Sequence, residues 1–230
     1  MLFRSLHVKA MTAAEIDFLS RHYGLSYDEV IEKMLEYGVD SMPGGGAEIF
    51  DEEIRAKICK GKVSRENWLK IHKMWHDKGR QSNATMLFGH IESRENRIDH
   101  MLRIRDLQDE TGGFNAFIPL VYQRENNYLK DVKFLGSAEI LKTMAISRLV
   151  LDNVPHIKAY WATSTLNLAM IAQEFGADDL DGTIEKESIQ SAAGANSANG
   201  VTLKTFCDLI KTSGFTPVER DSLYNELKIY

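Results

Sequence analysis

Apolar residues recur along this chain with two alternating periods. Strands are predicted at 6–12, 39–43, 82–89, 114–121 and 156–162, several of them nearly continuous apolar runs of the kind covered on both faces, as in parallel sheets. The segments between them carry helical spacing. Ser26-Tyr27-Asp28-Glu29 is a capping-box pattern, followed by Val30, Ile31, Met34 and Leu35 on one face. Trp68, Ile71, His72 and Trp75 recur at i, i+3, i+4 and i+7, as do Leu168, Ile171, Ala172 and Phe175. Residues 109–113, with two glycines, stop a long helix just before the fourth strand. The order is βα repeated, and strand starts recur about every 37 residues, a usual size for units of a (βα) barrel.

A closed barrel has eight strands, so five predict either a partial barrel, the C-terminal part of a protein of about 340 residues, or an open sheet with helices on both faces, and the partial barrel is the reading taken. The organisation predicted is α/β: residues 1–190 form this part of the barrel, and 191–230 a small-residue loop with C-terminal helices packed on it. One of these helices carries Leu203, Phe206, Cys207 and Ile210 behind Thr202. The other is predicted from Thr216-Pro217-Val218-Glu219, a capping box with proline at the first helical position.

Composition narrows the class. Of 230 residues 43% are hydrophobic and 27% charged, which excludes a disordered or fibrous chain. The net charge of −5, with no long basic block, argues against a nucleic-acid surface. The longest apolar stretch, 116–122, is far below the roughly 18 residues of a membrane span. Residues 1–5 have no apolar core of signal-peptide length, so the expected compartment is the cytoplasm. Two cysteines, Cys59 and Cys207, are too few for a disulfide framework or a four-thiolate site, and Cys207 on its apolar stripe reads as a buried thiol.

Candidate chemistry collects at strand ends. Pro43-Gly44-Gly45-Gly46-Ala47-Glu48 follows the second strand and is expected to open a helix. It is either a loop that lets backbone approach a ligand, with Glu48 beside an ammonium or ribose hydroxyl, or a tight strand-to-helix turn. Thr12 and Glu15, after the first strand, either hold a polar ligand or cap a helix. Asn83 and Thr85 share one face of the third strand. His90, just beyond it, is a candidate for proton transfer or a loop cap. Trp161, at the end of the fifth strand, is placed to stack on an aromatic ring, whereas His156 at the start of that strand reads as structural. His72 and His76 read as one face of an outer amphipathic helix rather than a metal pair, since no third ligand accompanies them. Asp178, Asp179 and Asp181 form either a polar-ligand cluster or a solvated turn.

Six segments in order carry a resemblance: HVKAMTAAEID at 7–17, DSMPGGGAEIF at 40–50, NATMLFGHIE at 83–92, QDETGGFNAFIPL at 108–120, AISRLVLDNVPHIKAYW at 145–161 and FGADDLDGT at 175–183. From Leu6 onward the chain resembles the radical S-adenosylmethionine enzymes of the futalosine route to menaquinone. Leu120 and Asp181 lean toward the aminofutalosine synthases among them rather than the cyclising synthases. The resemblance implies a transferase that cleaves S-adenosylmethionine at a 4Fe-4S cluster. The adenosyl radical then adds to 3-[(1-carboxyvinyl)oxy]benzoate, which loses a carboxylate. An electron donor such as a flavodoxin or ferredoxin is the implied partner. Thr12, Glu15, Gly44, Gly45, Gly46 and Glu48 are assigned to adenosylmethionine, His90 to catalysis, and Asn83, Thr85, Pro119 and Trp161 to the substrate. The family's CxxxCxxC motif is absent, so no metal ligand is assigned and this chain alone is expected to be an inactive fragment. A non-catalytic half-barrel that binds a nucleoside or a partner half is the reading from another class.

Overall fold

A computed structural model describes residues 6–129, 131–184, 189–194 and 200–230, with the side chains of 189 and 190 excepted. Residues 1–5 and half of the small-residue stretch 191–200 lie outside the described residues. The chain divides into two compact units, the first 1–86, 92–117 and 150–155, the second 87–91, 118–149 and 156–230.

The first unit opens with α1 (Ala13–Tyr23) and α2 (Tyr27–Glu36), each begun by a full capping box, Thr12 with Glu15 and Ser26 with Glu29. β1 (Ser41–Met42) follows, then α3 (Glu52–Ile58), α4 (Arg65–Asp77) and β2 (Gln81–Phe88). α5 (Arg94–Thr111) is ended by Gly112 in the left-handed conformation, φ 63°, as the glycine pair predicts. β3 (Phe114–Val121) comes next. The core holds the apolar face of α4, with Trp68, Ile71 and Trp75 fully buried beside Phe50, Met42 and Phe114. Each such side chain contributes roughly 1.5–3 kcal/mol by leaving water.

The second unit contains α6 (Ser137–Val150), β4 (His156–Ile157), α7 (Trp161–Ser164), α8 (Leu166–Ala172) and one 3-10 turn. α9 (Ile189–Ala192), α10 (Leu203–Thr212) and a hairpin of β5 (Val218–Arg220) and β6 (Glu226–Ile229) complete it. Four strands form a parallel sheet in sequential order, β1-β2-β3-β4. This is the βα order that the hydrophobic pattern predicts.

Four expectations need correction. The strand at 6–12 is reduced to one parallel bridge, Lys9 to Ser41, because Thr12 already caps α1. The strand at 156–162 shortens to β4 with an isolated bridge from Lys158 to Asp179, and among the described residues the sheet has four strands instead of five because 6–12 does not join it. The three glycines do not open a helix: α3 begins at Glu52, with the Asp51 carboxylate accepting the Ile54 amide at 2.9 Å. The second C-terminal helix is a hairpin. Asp221 there accepts amide hydrogen bonds from Leu223 (2.8 Å) and Asn225 (2.9 Å), and this turn chemistry overrides the capping-box pattern at Thr216.

Candidate functional site

In the first unit the carboxyl end of β1 runs straight into Gly44, Gly45 and Gly46. Each glycine carbonyl accepts a hydrogen bond from a different side chain. Thr85 Oγ1 donates to Gly44 at 2.7 Å, Trp68 Nε1 to Gly45 at 3.2 Å and Arg55 Nη2 to Gly46 at 3.1 Å. Arg55 is 4% exposed and also donates to the carbonyls of Ala47, Ile49 (3.1 Å) and Val63. One buried guanidinium therefore gathers four carbonyls, which fixes the loop and satisfies a charge that burial would otherwise penalise. Nothing in the sequence pattern marks Arg55, because an arginine in a short helix reads as a solvent-facing residue.

The glycines are required by close packing. A β-carbon on Gly44 would lie 2.7 Å from the Asn83 carbonyl oxygen and 2.9 Å from the Thr85 nitrogen, both backbone atoms of β2. On Gly45 it would meet only the Thr12 side chain, its methyl at 2.8 Å, while Gly46 carries the positive φ, +89°. Gly44, rather than Gly45, is thus the least replaceable. Glu48 follows with φ 47° and pairs with Lys62 at 2.7 Å.

Thr12, Gly44, Gly45, Gly46, Glu48, Asn83 and Thr85 all belong to this unit, and the geometry joins most of them directly. Thr12 and Glu15 cap α1 reciprocally, the Glu15 carboxylate taking the Thr12 amide at 2.6 Å. Asn83 accepts from Lys9 Nζ at 2.7 Å and donates to Asn115 at 2.5 Å. His90, Pro119 and Trp161 lie in the second unit. His90 Nε2 is 3.0 Å from the Leu87 carbonyl, and its ring meets Tyr122 edge-on at 5.9 Å. Pro119 is buried in β3. Trp161 starts α7 and is 1% exposed, its indole donating to the Gly182 carbonyl at 2.9 Å.

The histidines of α4 are not on an outer face. His72 Nδ1 and His76 Nε2 both reach Ser82 Oγ, at 2.8 and 2.7 Å, and His76 Nδ1 reaches Thr111 Oγ1 at 2.8 Å. Burial pushes His72 well below its ordinary value and His76 down to about 4. His100, stacked on Phe50 at 4.0 Å, is pushed down to about 3 by the same cause. The three aspartates of 178–181 are neither a solvated turn nor an open ligand cluster. Asp178 pairs with Arg148 (3.0 Å) and His156 (2.7 Å), Asp181 with Lys158 (2.5 Å). Asp179 is met by Arg220 (2.6 Å), Lys158 (3.3 Å) and the Tyr224 hydroxyl (2.7 Å). Burial opposes its ionisation, but Lys158 and Arg220 outweigh burial and hold Asp179 at about 2.

The model of the Radical SAM superfamily matches residues 6–104, which include β1, the glycine loop and β2 of this parallel βα sheet. The solved structure of methylornithine synthase (PylB) shares this fold at a TM-score of 0.65. The match covers 90% of this chain and 63% of that one at 13% identity. The model of the CofH/MqnC C-terminal region matches residues 111–230, more than half of the chain, and the chain belongs to the CofH/MqnC family. It is 48% identical to aminodeoxyfutalosine synthase of Thermus thermophilus, over 99% of this chain and 62% of that protein. It is 38% identical to cyclic dehypoxanthine futalosine synthase of Streptomyces coelicolor, over 99% of this chain and 57% of that protein. The chain thus spans about three fifths of the length of these curated relatives.

The residues present do not fit a 4Fe-4S cluster. Cys59 and Cys207 are the chain's two thiols, and burial pushes the Cys59 thiol up, away from the thiolate a metal needs. Among the described residues no three His, Cys, Asp or Glu side chains are grouped to hold a metal. The glycine loop is a backbone surface at the carboxyl end of a parallel strand, its three carbonyls held by Thr85, Trp68 and Arg55, and Glu48 after it is paired with Lys62. No described helix is long and apolar enough to cross a membrane.

Proposed function

We propose that the chain is part of an aminodeoxyfutalosine synthase, which joins an adenosyl group to 3-[(1-carboxyvinyl)oxy]benzoate with loss of a carboxylate. The observation that carries this reading is the 48% identity to such an enzyme over 99% of the chain, against 38% to the cyclising relative. S-adenosylmethionine, when bound, supplies the adenosyl group. An external electron donor such as a flavodoxin or ferredoxin, and a cytoplasmic site of action, belong to the same reading. Since the cluster ligands are not among this chain's residues, no step is assigned to a cluster.

This chain's own part is to bind and position. Gly44, Gly45, Gly46 and Glu48 receive the amino-acid end of the ligand, and Arg55, Trp68 and Thr85 hold that loop in place. Thr12 and Glu15 fix the start of α1 beside Gly45. Asn83 and Thr85 in the first unit, and Pro119 and Trp161 in the second, are assigned to the substrate as supporting residues, because their polar atoms are engaged with protein or their rings are buried. His90, tethered by the Leu87 carbonyl, is the group proposed to move a proton.

Calorimetric titration of the chain tests the reading. S-adenosylmethionine and the enolpyruvyl benzoate should each bind, and dehypoxanthine futalosine should not. Preferential binding of dehypoxanthine futalosine would transfer the chain to the cyclising class, and binding of none would overturn both. Anaerobic iron and sulfide reconstitution should leave the chain without a stoichiometric 4Fe-4S chromophore.

A further inference from the structure

The second unit holds a cavity of about 230 Å³ beyond the carboxyl ends of β2 and β3, the side on which parallel βα folds place their ligands. Gly89 and residues 121–125, which directly follow those strands, form one side. Residues 132–135 and 163–165 close the others. Gly89 lets the 132–135 segment lie close, since a β-carbon there would come within 3.0 Å of Leu135.

Two polar groups in this cavity lack what comparable groups elsewhere have. Arg97, Arg105, Arg148 and Arg220 each meet a carboxylate. Arg124, half-buried, meets none among the described residues. Its guanidinium has one hydrogen bond, to the Val132 carbonyl at 3.5 Å, and lies 5.4 Å from the Phe134 ring. Tyr122 buries its hydroxyl near the Leu129 backbone, with no hydrogen bond of good geometry among the described residues. A buried hydroxyl left unpaired costs about 1–3 kcal/mol, and a guanidinium pairs best with a carboxylate. The rest of the lining is mixed: Val121, Phe134, Leu135 and Ile140 are apolar, while Glu125, Lys133 and the hydroxyls of residues 163–165 are polar.

Drug-sized ligands occupy pockets of about 300–1,000 Å³, so this cavity suits a single-ring acid and is too small for an adenosyl sulfonium. The larger cavity beside the hairpin, about 490 Å³, is lined by Arg220, His156 and aspartates that already pair with partners of their own. We propose that the cavity at Arg124 binds an aryl carboxylate, with Arg124 taking the carboxylate, Tyr122 donating its hydroxyl and Phe134 with Leu135 flanking the ring. This assignment rests on the functional reading above, in which the substrate is an enolpyruvyl benzoate, and it supplies that reading with contact residues.

The test is titration of the full chain with 3-[(1-carboxyvinyl)oxy]benzoate, the matching ring carboxamide and S-adenosylmethionine. Arg124→Gln should weaken the carboxylate ligand at least tenfold. It should leave the carboxamide and S-adenosylmethionine within twofold of the parent chain. Tyr122→Phe, which removes one oxygen and cannot empty the fold, should weaken the carboxylate ligand about threefold to tenfold. Unchanged affinity in both variants, with the parent chain binding the acid, would overturn the cavity assignment and leave the functional reading standing. Failure of the parent chain to bind the acid or S-adenosylmethionine would instead overturn the functional reading on which the assignment depends.

Discussion

Two buried polar clusters, one in each unit, are stabilised by opposite means. In the first, histidines are kept neutral by burial and share hydroxyls, as His72 and His76 do at Ser82, and Arg55 is satisfied by backbone carbonyls. In the second, ions face ions. Asp179 is enclosed by Lys158, Arg220 and Tyr224, and the Tyr224 ring lies between His156 (3.9 Å, stacked) and the Arg220 guanidinium (3.9 Å). Neutral networks fail when a proton arrives, ionic ones when a charge is removed. That contrast can be broken experimentally.

The largest effect is expected at Gly44, where the obstacle is backbone and cannot rotate away. Gly44→Val should cost more than about 4 kcal/mol, so that soluble folded protein is lost. Gly45→Ala, which meets a single side chain, should fold with a loss of about 1–3 kcal/mol by urea denaturation. Asp179→Asn comes next. It leaves Arg220 without its carboxylate and Lys158 with Asp181 alone, and should cost about 3–5 kcal/mol by urea denaturation. Equal destabilisation by Asp179→Asn and by removal of an exposed pair such as Lys204–Asp208 would show that the ionic account is wrong.

Acid should separate the units. His76 sits at about 4 in the fold against an ordinary 6.5, so the unfolded chain binds the proton first. Its contribution is complete above pH 6.5 and declines as pH falls toward 4, at up to about 1.4 kcal/mol per pH unit for each such histidine. Asp179, at about 2 against an ordinary 3.8, contributes above pH 3.8 and loses that contribution only below it. Stability measured from pH 7 to 4 should therefore fall through the first unit, and His76→Phe should flatten that slope while Asp179→Asn leaves it. His72→Ala, which an outer-helix position would make neutral, should instead cost about 2–4 kcal/mol, since His72 is fully buried against Trp68 at 3.7 Å. The smallest effect is at Ser82→Ala, about 1–3 kcal/mol, because two imidazoles lose one shared hydroxyl.

Strands β2 and β3, the helix starts at Thr12, Ser26 and Thr202, and the stop at Gly112 are all legible in the amino-acid pattern. They depend on local period and capping, which adjacent residues carry by themselves. The segments at 6–12 and after Thr216 depart from their patterns for one shared physical reason. Short segments with mixed signals are decided by their partners, here the α1 cap and the Asp221 turn. At the glycine loop, the sequence marks Gly44, Gly45, Gly46 and Glu48 but gives no sign of Arg55, whose four acceptors come from residues 46–63 folded around it. Arg124 is equally silent, since an arginine becomes informative only once it is seen to line a cavity without a paired carboxylate among the described residues. By itself, then, the sequence determined the βα order, the capped helix starts at Thr12, Ser26 and Thr202, and the family, because period, caps and motif order are properties of neighbours in the chain. The tertiary structure alone decided which polar groups are already satisfied and which still face a cavity, because hydrogen bonding and burial are set by residues distant in sequence.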